Sequence, residues 1–275
     1  MDEVIFLFLI ALIWIVIASI QDLKKREVDN WVSFSLIIFA LGFRFFYSLF
    51  NLESLGGFWF FYSGLIWLGI FYVIGYLFYY SKLFAGGDAK LMIALGSVLP
   101  LNESFSQNLI EIAYFILIFL LVGFFYSLFW SLTLMFRNFK EFKKKFFSIF
   151  EKQRKFFYPL IFLGIVAFIL GFFEVIFFLL GAFILIFPLV FAYSKAIEET
   201  CMIKKIRVQE LREGDWLVGD IKIGKSVIKS RWEGLTLKEI KLIRKKLKNI
   251  YVKEGIPFVP VFLISFIIWI FYRVL

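Results

Sequence analysis

Residues 4–30 read VIFLFLIALIWIVIASIQDLKKREVDN. The first 17 of these, 4–20, carry no charge, which is just enough helix to cross a bilayer core about 30 Å thick. Polarity then changes abruptly: Asp22 is followed by Lys24, Lys25, Arg26, Glu27 and Asp29. One junction therefore defines a membrane helix, the edge of the membrane and an acid placed at that edge. Asp2 and Glu3 precede the run, unlike the positive start of a secretory signal, so it reads as a retained helix with its N-terminus outside.

The rest of the chain repeats this alternation. Of 275 residues 62% are hydrophobic and 41 are Phe, and the mean hydropathy is +0.88, well beyond a soluble domain. Further apolar runs fill 31–50, 58–80, a short 89–100 ended by Pro100, 109–136 and 257–275. Gly64, Gly69 and Gly75 mark close-packing positions in the third run. Residues 156–193, broken at Gly171 and Glu174, read as a tight hairpin of two short spans.

Loop charge sets the orientation. Segments 21–30, 81–90, 137–155 and 194–256 hold 29 of the 31 Lys and Arg, and Arg44 and Arg273 fall inside apolar runs. The opposite loops hold Asp2, Glu3, Glu53, Glu103, Glu111 and Glu174. The basic side is thus expected to be cytoplasmic. The expected fold class is an all-α polytopic protein of the cell membrane, with about eight transmembrane helices and a small α+β cytoplasmic insert. It divides as 1–193 membrane core, 194–256 basic insert and 257–275 final helix.

Within the insert, Thr236-Leu237-Lys238-Glu239 is a capping box. Ile240, Ile243, Leu247 and Ile250 follow as one apolar helix face, and residues 215–223 read as short strands joined by Gly turns. The lysine and arginine excess suits an anionic membrane surface or plain solvation. No internal repeat or nucleotide-binding glycine fingerprint occurs, and no nucleic-acid partner is expected. Asn102-Glu103-Ser104 is a glycosylation triplet in an outside loop.

Composition also narrows the chemistry. The chain has no histidine and one cysteine, Cys201, which excludes a Ser-His-Asp triad, a Cys-His dyad, an intramolecular disulfide and the common zinc sites. Hydrolysis would have to use carboxylates, Lys, Tyr or Ser, with no metal or other cofactor expected. Two acids stand out. Asp22 ends the first run, and Asp88 closes Ala85-Gly86-Gly87-Asp88 before Ala89-Lys90. Both fall on the basic side. Gly86 and Gly87 remove side-chain bulk and permit unusual dihedrals, so an extended peptide could approach the carboxylate. Two carboxylates held close cannot both ionise easily, so one keeps a proton near neutral pH. The ionised one can take a proton from water while the other donates to a peptide carbonyl. The pair titrates as a unit, and the sequence assigns neither role to either acid. Each aspartate also reads simply as an interfacial charge near Lys24, Lys25 or Lys90.

At these residues the chain resembles the type IV prepilin peptidases, most closely their archaeal branch, the preflagellin (archaellin) peptidases, which are membrane aspartyl proteases of the GxGD kind. Asp22, Leu23, Lys24, Arg26 and Asn30 match the stretch around the family's first aspartate, and Gly86, Gly87, Asp88 and Lys90 the stretch around its second. Glu254-Gly255-Ile256-Pro257-Phe258-Val259-Pro260 is similar to the segment that leads the last helix in archaeal members. Ala85 stands where strict GxGD has Gly, and Asp29 is a third local carboxylate. The resemblance implies an endopeptidase that removes a short basic leader from prepilin-like or preflagellin precursors at the cytoplasmic face. Asp22 and Asp88 would be catalytic, and Gly86 and Gly87 would sit beside the substrate. Its partners would be those precursors and the lipid bilayer, with the oligomeric state open. A proton-coupled transporter or channel, or a scaffold subunit of a membrane machine, are the alternatives.

Overall fold

The computed structural model describes residues 2–50, 57–223 and 226–274; Glu53, counted above among the outside acids, lies outside them. Contacts divide the chain into two units, residues 1–128 with 256–275, and residues 129–255.

The first unit is built from α1 (Asp2–Lys25), α2 (Asn30–Phe50), α3 (Trp59–Tyr80), α4 (Gly86–Leu95), most of α5 (Phe105–Arg137) and α10 (Pro260–Val274). Its core draws on all six and includes Leu7, Ile15, Leu36, Trp67, Leu91, Phe119, Phe262 and Trp269. Many large apolar side chains on the other faces of these helices are exposed, for example Ile38 at 68% and Val73 at 66%, as expected where lipid is the solvent. Glycine sets how closely α3 meets α4. A Cβ on Gly75 would lie 2.7 Å from Ile93 Cγ1, and one on Gly96 would lie 2.7 Å from the Trp67 carbonyl oxygen. Gly69, by contrast, has nothing within 4 Å, so it is not a packing position.

Arg44 holds the far end of α4. It is fully buried, and its guanidinium donates to the carbonyls of Ser97 (2.8 Å), Val98 (3.0 Å), Pro100 (2.5 Å) and Phe60 (2.7 Å). It also lies 4.4 Å from the centre of the Phe60 ring. The carbonyls of Ser97, Val98 and Pro100 lie past the end of α4, and in an apolar surround each would be costly to leave without a donor. A planar five-donor cation satisfies several at once. Next to it, Asn108 Oδ1 accepts from the Leu101 and Asn102 amides. The Asn102 side-chain nitrogen is itself buried, so the glycosylation triplet is not presented to an enzyme. Arg273 pairs with Glu111 and joins α10 to α5.

The second unit contains α6 (Phe139–Lys152), α7 (Arg154–Leu170), α8 (Val175–Thr200) and a small α+β module. α7 and α8 form the expected hairpin, turning at Gly171; a Cβ on Gly181 would lie 2.4 Å from the Phe168 amide nitrogen. In the module β1 (Ile203–Arg207), β5 (Asn249–Lys253) and β2 (Trp216–Leu217) make an antiparallel sheet, with β5 central. β3 (Ile221–Ile223) and β4 (Ser226–Ile228) form a hairpin. α9 (Leu237–Lys246) starts at the expected box, with the Glu239 amide donating to Thr236 Oγ1 and the Thr236 amide to Glu239 Oε2. Ile240 and Ile243 are buried on α9, but the helix stops at Lys246 and Ile250 belongs to β5. The apolar spacing continues across the break because both elements feed one core, with Val208, Leu217 and Val252.

The protein is therefore mostly helical with a small sheet region. Among the described residues five helices are long and apolar enough to cross a membrane: α1, α2, α3, α5 and α8. A sixth is added if α6 and α7, bent by 83°, count as one span. The short fourth run becomes α4, ten residues and ~15 Å long, too short to cross alone.

Candidate active site

Asp22 lies in the last turn of α1 and Asp88 in the first turn of α4. Both are buried, 7% and 8% exposed, and close enough for the Asp22 charge to act on Asp88. The bilayer bundle thus brings together two acids from separate parts of the chain.

Each is held by backbone amides. Asp22 Oδ2 accepts from the Val259 amide at 2.9 Å, and the neighbouring Phe258 amide also favours the charged carboxylate. These two residues stand between Pro257 and Pro260, at the N-terminus of α10, where free amides and the helix dipole favour an anion. Arg26 adds a positive charge. It follows the end of α1 with a φ of 58°, an uncommon conformation for a residue with a side chain, and its amide donates to the Asp22 carbonyl. Asp88 Oδ2 accepts from the Ala85 amide at 3.1 Å. Asp88 heads a helix too short to span, and burial, reinforced by the Asp22 charge, pushes its carboxyl up to about 7 against the single lowering bond from Ala85.

The glycines meet one half of the expectation and not the other. Gly86 and Gly87 are the first two residues of α4, and neither has a positive φ, so unusual dihedrals are not their contribution. Space is. A Cβ on Gly86 would meet nothing within 4 Å, and one on Gly87 would be 3.4 Å from Val28 Cβ. Ala85, at φ −74° and ψ 167°, is in a region open to any residue, which explains why a methyl is tolerated there.

The two motifs also touch outside the acids. Lys90 Nζ donates to Asn30 Oδ1 at 2.5 Å. Beneath them Phe84 is buried with ring centroids 5.8, 6.1 and 6.0 Å from Phe119, Phe258 and Phe262, which gives part of the phenylalanine content a role. Asp29 is half-buried, with its amide on Gln21 Oε1, and is not among the charges acting on Asp22 or Asp88. Gly214-Asp215 and Gly219-Asp220 lie in the α+β module as turns. Among the described residues no cluster of three or more metal-ligating side chains occurs. Sequence reading missed the Val259 and Phe258 amides, because backbone donors leave no residue-type signature; the Pro bracket is their only trace.

A helical membrane protein that buries two interacting carboxylates at helix ends, each fixed by main-chain amides, has the architecture of a membrane carboxylate-pair protein. Residues 9–132 match the type IV leader peptidase family, so the chain is similar to that family over the stretch that carries both acids. Among curated proteins it is similar to a preflagellin peptidase of Methanococcus maripaludis, 26% identical over 144 residues, covering 48% of this chain and 58% of that one. It is also similar to preflagellin peptidases of Methanocaldococcus jannaschii, 35% identical over 100 residues, and of Methanococcus voltae, 29% over 93; each alignment covers 34% of this chain and 38% of the relative. The chain thus matches less than two thirds of the length of each.

Proposed function

We propose that the chain is a membrane aspartyl endopeptidase that removes a short basic leader from prepilin-like or preflagellin precursors. The observation that carries this is the pair itself: Asp22 and Asp88, distant in sequence, are buried together and interact. The family match over 9–132 supports the same reading.

In this mechanism the pair shares one proton. The ionised carboxylate takes a proton from water, and the water oxygen attacks the scissile carbonyl carbon. The protonated carboxyl gives its proton to the carbonyl oxygen, and collapse of the tetrahedral species returns a proton to the leaving amine. The space at Gly86 would admit an extended substrate backbone beside Asp88. The loop-charge bias supports a site facing the cytoplasm in the cell membrane. We read the topology as eight passes, in which α4 crosses together with the turn residues that continue it to Pro100 and α10 joins the longer helices, with 194–256 as a cytoplasmic insert between the core and the last helix.

The test is cleavage of a preflagellin-like precursor in the same membranes by wild type, Asp22→Asn and Asp88→Asn. Loss in both variants is expected. Retained cleavage in either removes that aspartate from the mechanism. If both variants keep full function, a scaffold subunit becomes the better reading.

A further inference from the structure

α6 is unlike the other long helices. It carries Lys140, Lys143, Lys144, Lys145 and Lys152, and Arg137, Arg154 and Lys155 flank it, against only Glu141 and Glu151. It also meets α7 at 83°. α7 is apolar from Phe156 to Leu170. A helix so charged cannot follow α7 into hydrocarbon without a large cost, and the bend turns it across the direction of α7.

One face of α6 is already used. Phe142 and Ile149 are buried with Ala192, Ala196 and Ile197 of α8 and Phe157 of α7, and Lys145 bridges to Glu199 at 2.5 Å. The open flank is mixed. Phe139, Lys140, Lys143, Lys144 and Phe147 fall within one sector ~140° wide on a helix of 3.6 residues per turn. All five are exposed, Phe139 at 50% and Phe147 at 57%. Among the described residues, Lys140, Lys143 and Lys144 take part in no ion pair. A flank that served only solvation would not need two exposed phenylalanines between its lysines. Aromatic rings interleaved with lysines match the boundary where acyl chains meet headgroups, and the excess of positive charge selects the sign of those headgroups.

We propose that the open flank of α6 binds the anionic headgroups of the bilayer, with Phe139 and Phe147 seated among the upper acyl carbons and Lys140, Lys143 and Lys144 on the phosphates. The surface is independent of Asp22 and Asp88 and of the peptidase reading.

The chain, with Cys201→Ser and a fluorophore on Ser148→Cys beside the proposed surface, is placed in nanodiscs of zwitterionic lipid. The same small fraction of nitroxide lipid is added, with either an anionic or a zwitterionic headgroup and the nitroxide near the glycerol. Both should quench, and the anionic quencher should do so at a fraction lower by roughly one to two orders of magnitude. Lys140→Gln/Lys143→Gln/Lys144→Gln should erase that preference, since each surface lysine is worth about fivefold in lipid association. These side chains are solvent-facing, and the double variant Lys143→Gln/Lys144→Gln, read in the same way, covers a folding failure of the triple. Inorganic phosphate in the buffer should leave the preference intact. Equal quenching by both lipids, a preference that survives the substitutions, no quenching by either lipid, or reversal by free phosphate would each overturn the proposal.

Discussion

Replacing Asp88 by Asn should make the protein more stable in alkaline solution while abolishing cleavage. In the fold the Asp88 carboxyl is pushed up to about 7, from 3.8 when free. Between those values the folded chain holds a proton that the unfolded chain has released. Stability from this group is therefore full below pH 3.8, falls as pH rises, and is gone above about 7. The window is about three pH units wide, and at 1.36 kcal/mol per unit the ionised carboxylate costs ~4 kcal/mol at pH 8. Asn has nearly the same shape, keeps an oxygen to accept from the Ala85 amide, and has no charge to desolvate. The assay is thermal unfolding of the full-length chain in detergent at pH 4.5 and pH 8, taking the difference between wild type and variant so that other titrating groups cancel. At pH 4.5 only about 1 kcal/mol of the effect is present, so the difference should be a few degrees there and of order 10 °C in favour of the variant at pH 8. A variant that melts at or below wild type at pH 8 would refute the claim that Asp88 is a buried, electrostatically strained acid.

Two structural predictions concern how α4 is placed. Arg44→Met removes donors from four backbone carbonyls; it should destabilise the protein by more than ~3 kcal/mol and lower cleavage through the loss of α4 position, as read by unfolding and precursor turnover. Gly75→Ala puts a methyl 2.7 Å from Ile93 Cγ1 and 3.1 Å from the Ala89 carbonyl oxygen, next to Asp88. It should cost ~1–3 kcal/mol and reduce turnover more than precursor binding, whereas Gly69→Ala, with open space around it, should change neither.

Much of this was legible in the chain because membrane insertion writes strong signals. Long uncharged runs announce helices, and the abrupt change at Gln21 and Asp22 marks where one ends. The same runs mislead on length: 89–100 is apolar enough for a span, yet only Gly86–Leu95 is α-helix, and Arg44 takes up the carbonyls beyond. Arg44 itself was visible only as a lone cation in an apolar run. Its partners are main-chain oxygens 16 and 53 to 56 residues away, which no local pattern encodes. The glycine pair before Asp88 was expected both to remove bulk and to permit unusual dihedrals; the open space is there and the positive φ is not, since sequence gives the lack of a Cβ and not the dihedrals. Ile250 shows the converse error, a correct burial pattern assigned to the wrong element.

The central claim is that Asp22 and Asp88 act as one unit, and a double-mutant comparison of precursor cleavage tests it most directly. Asp22→Asn and Asp88→Asn should each lower the rate about a thousandfold or more, and the double variant should be no slower than either, because residues that work together fail together. Losses that multiply in the double variant, or one single variant that still cleaves at near wild-type rate, would contradict the account.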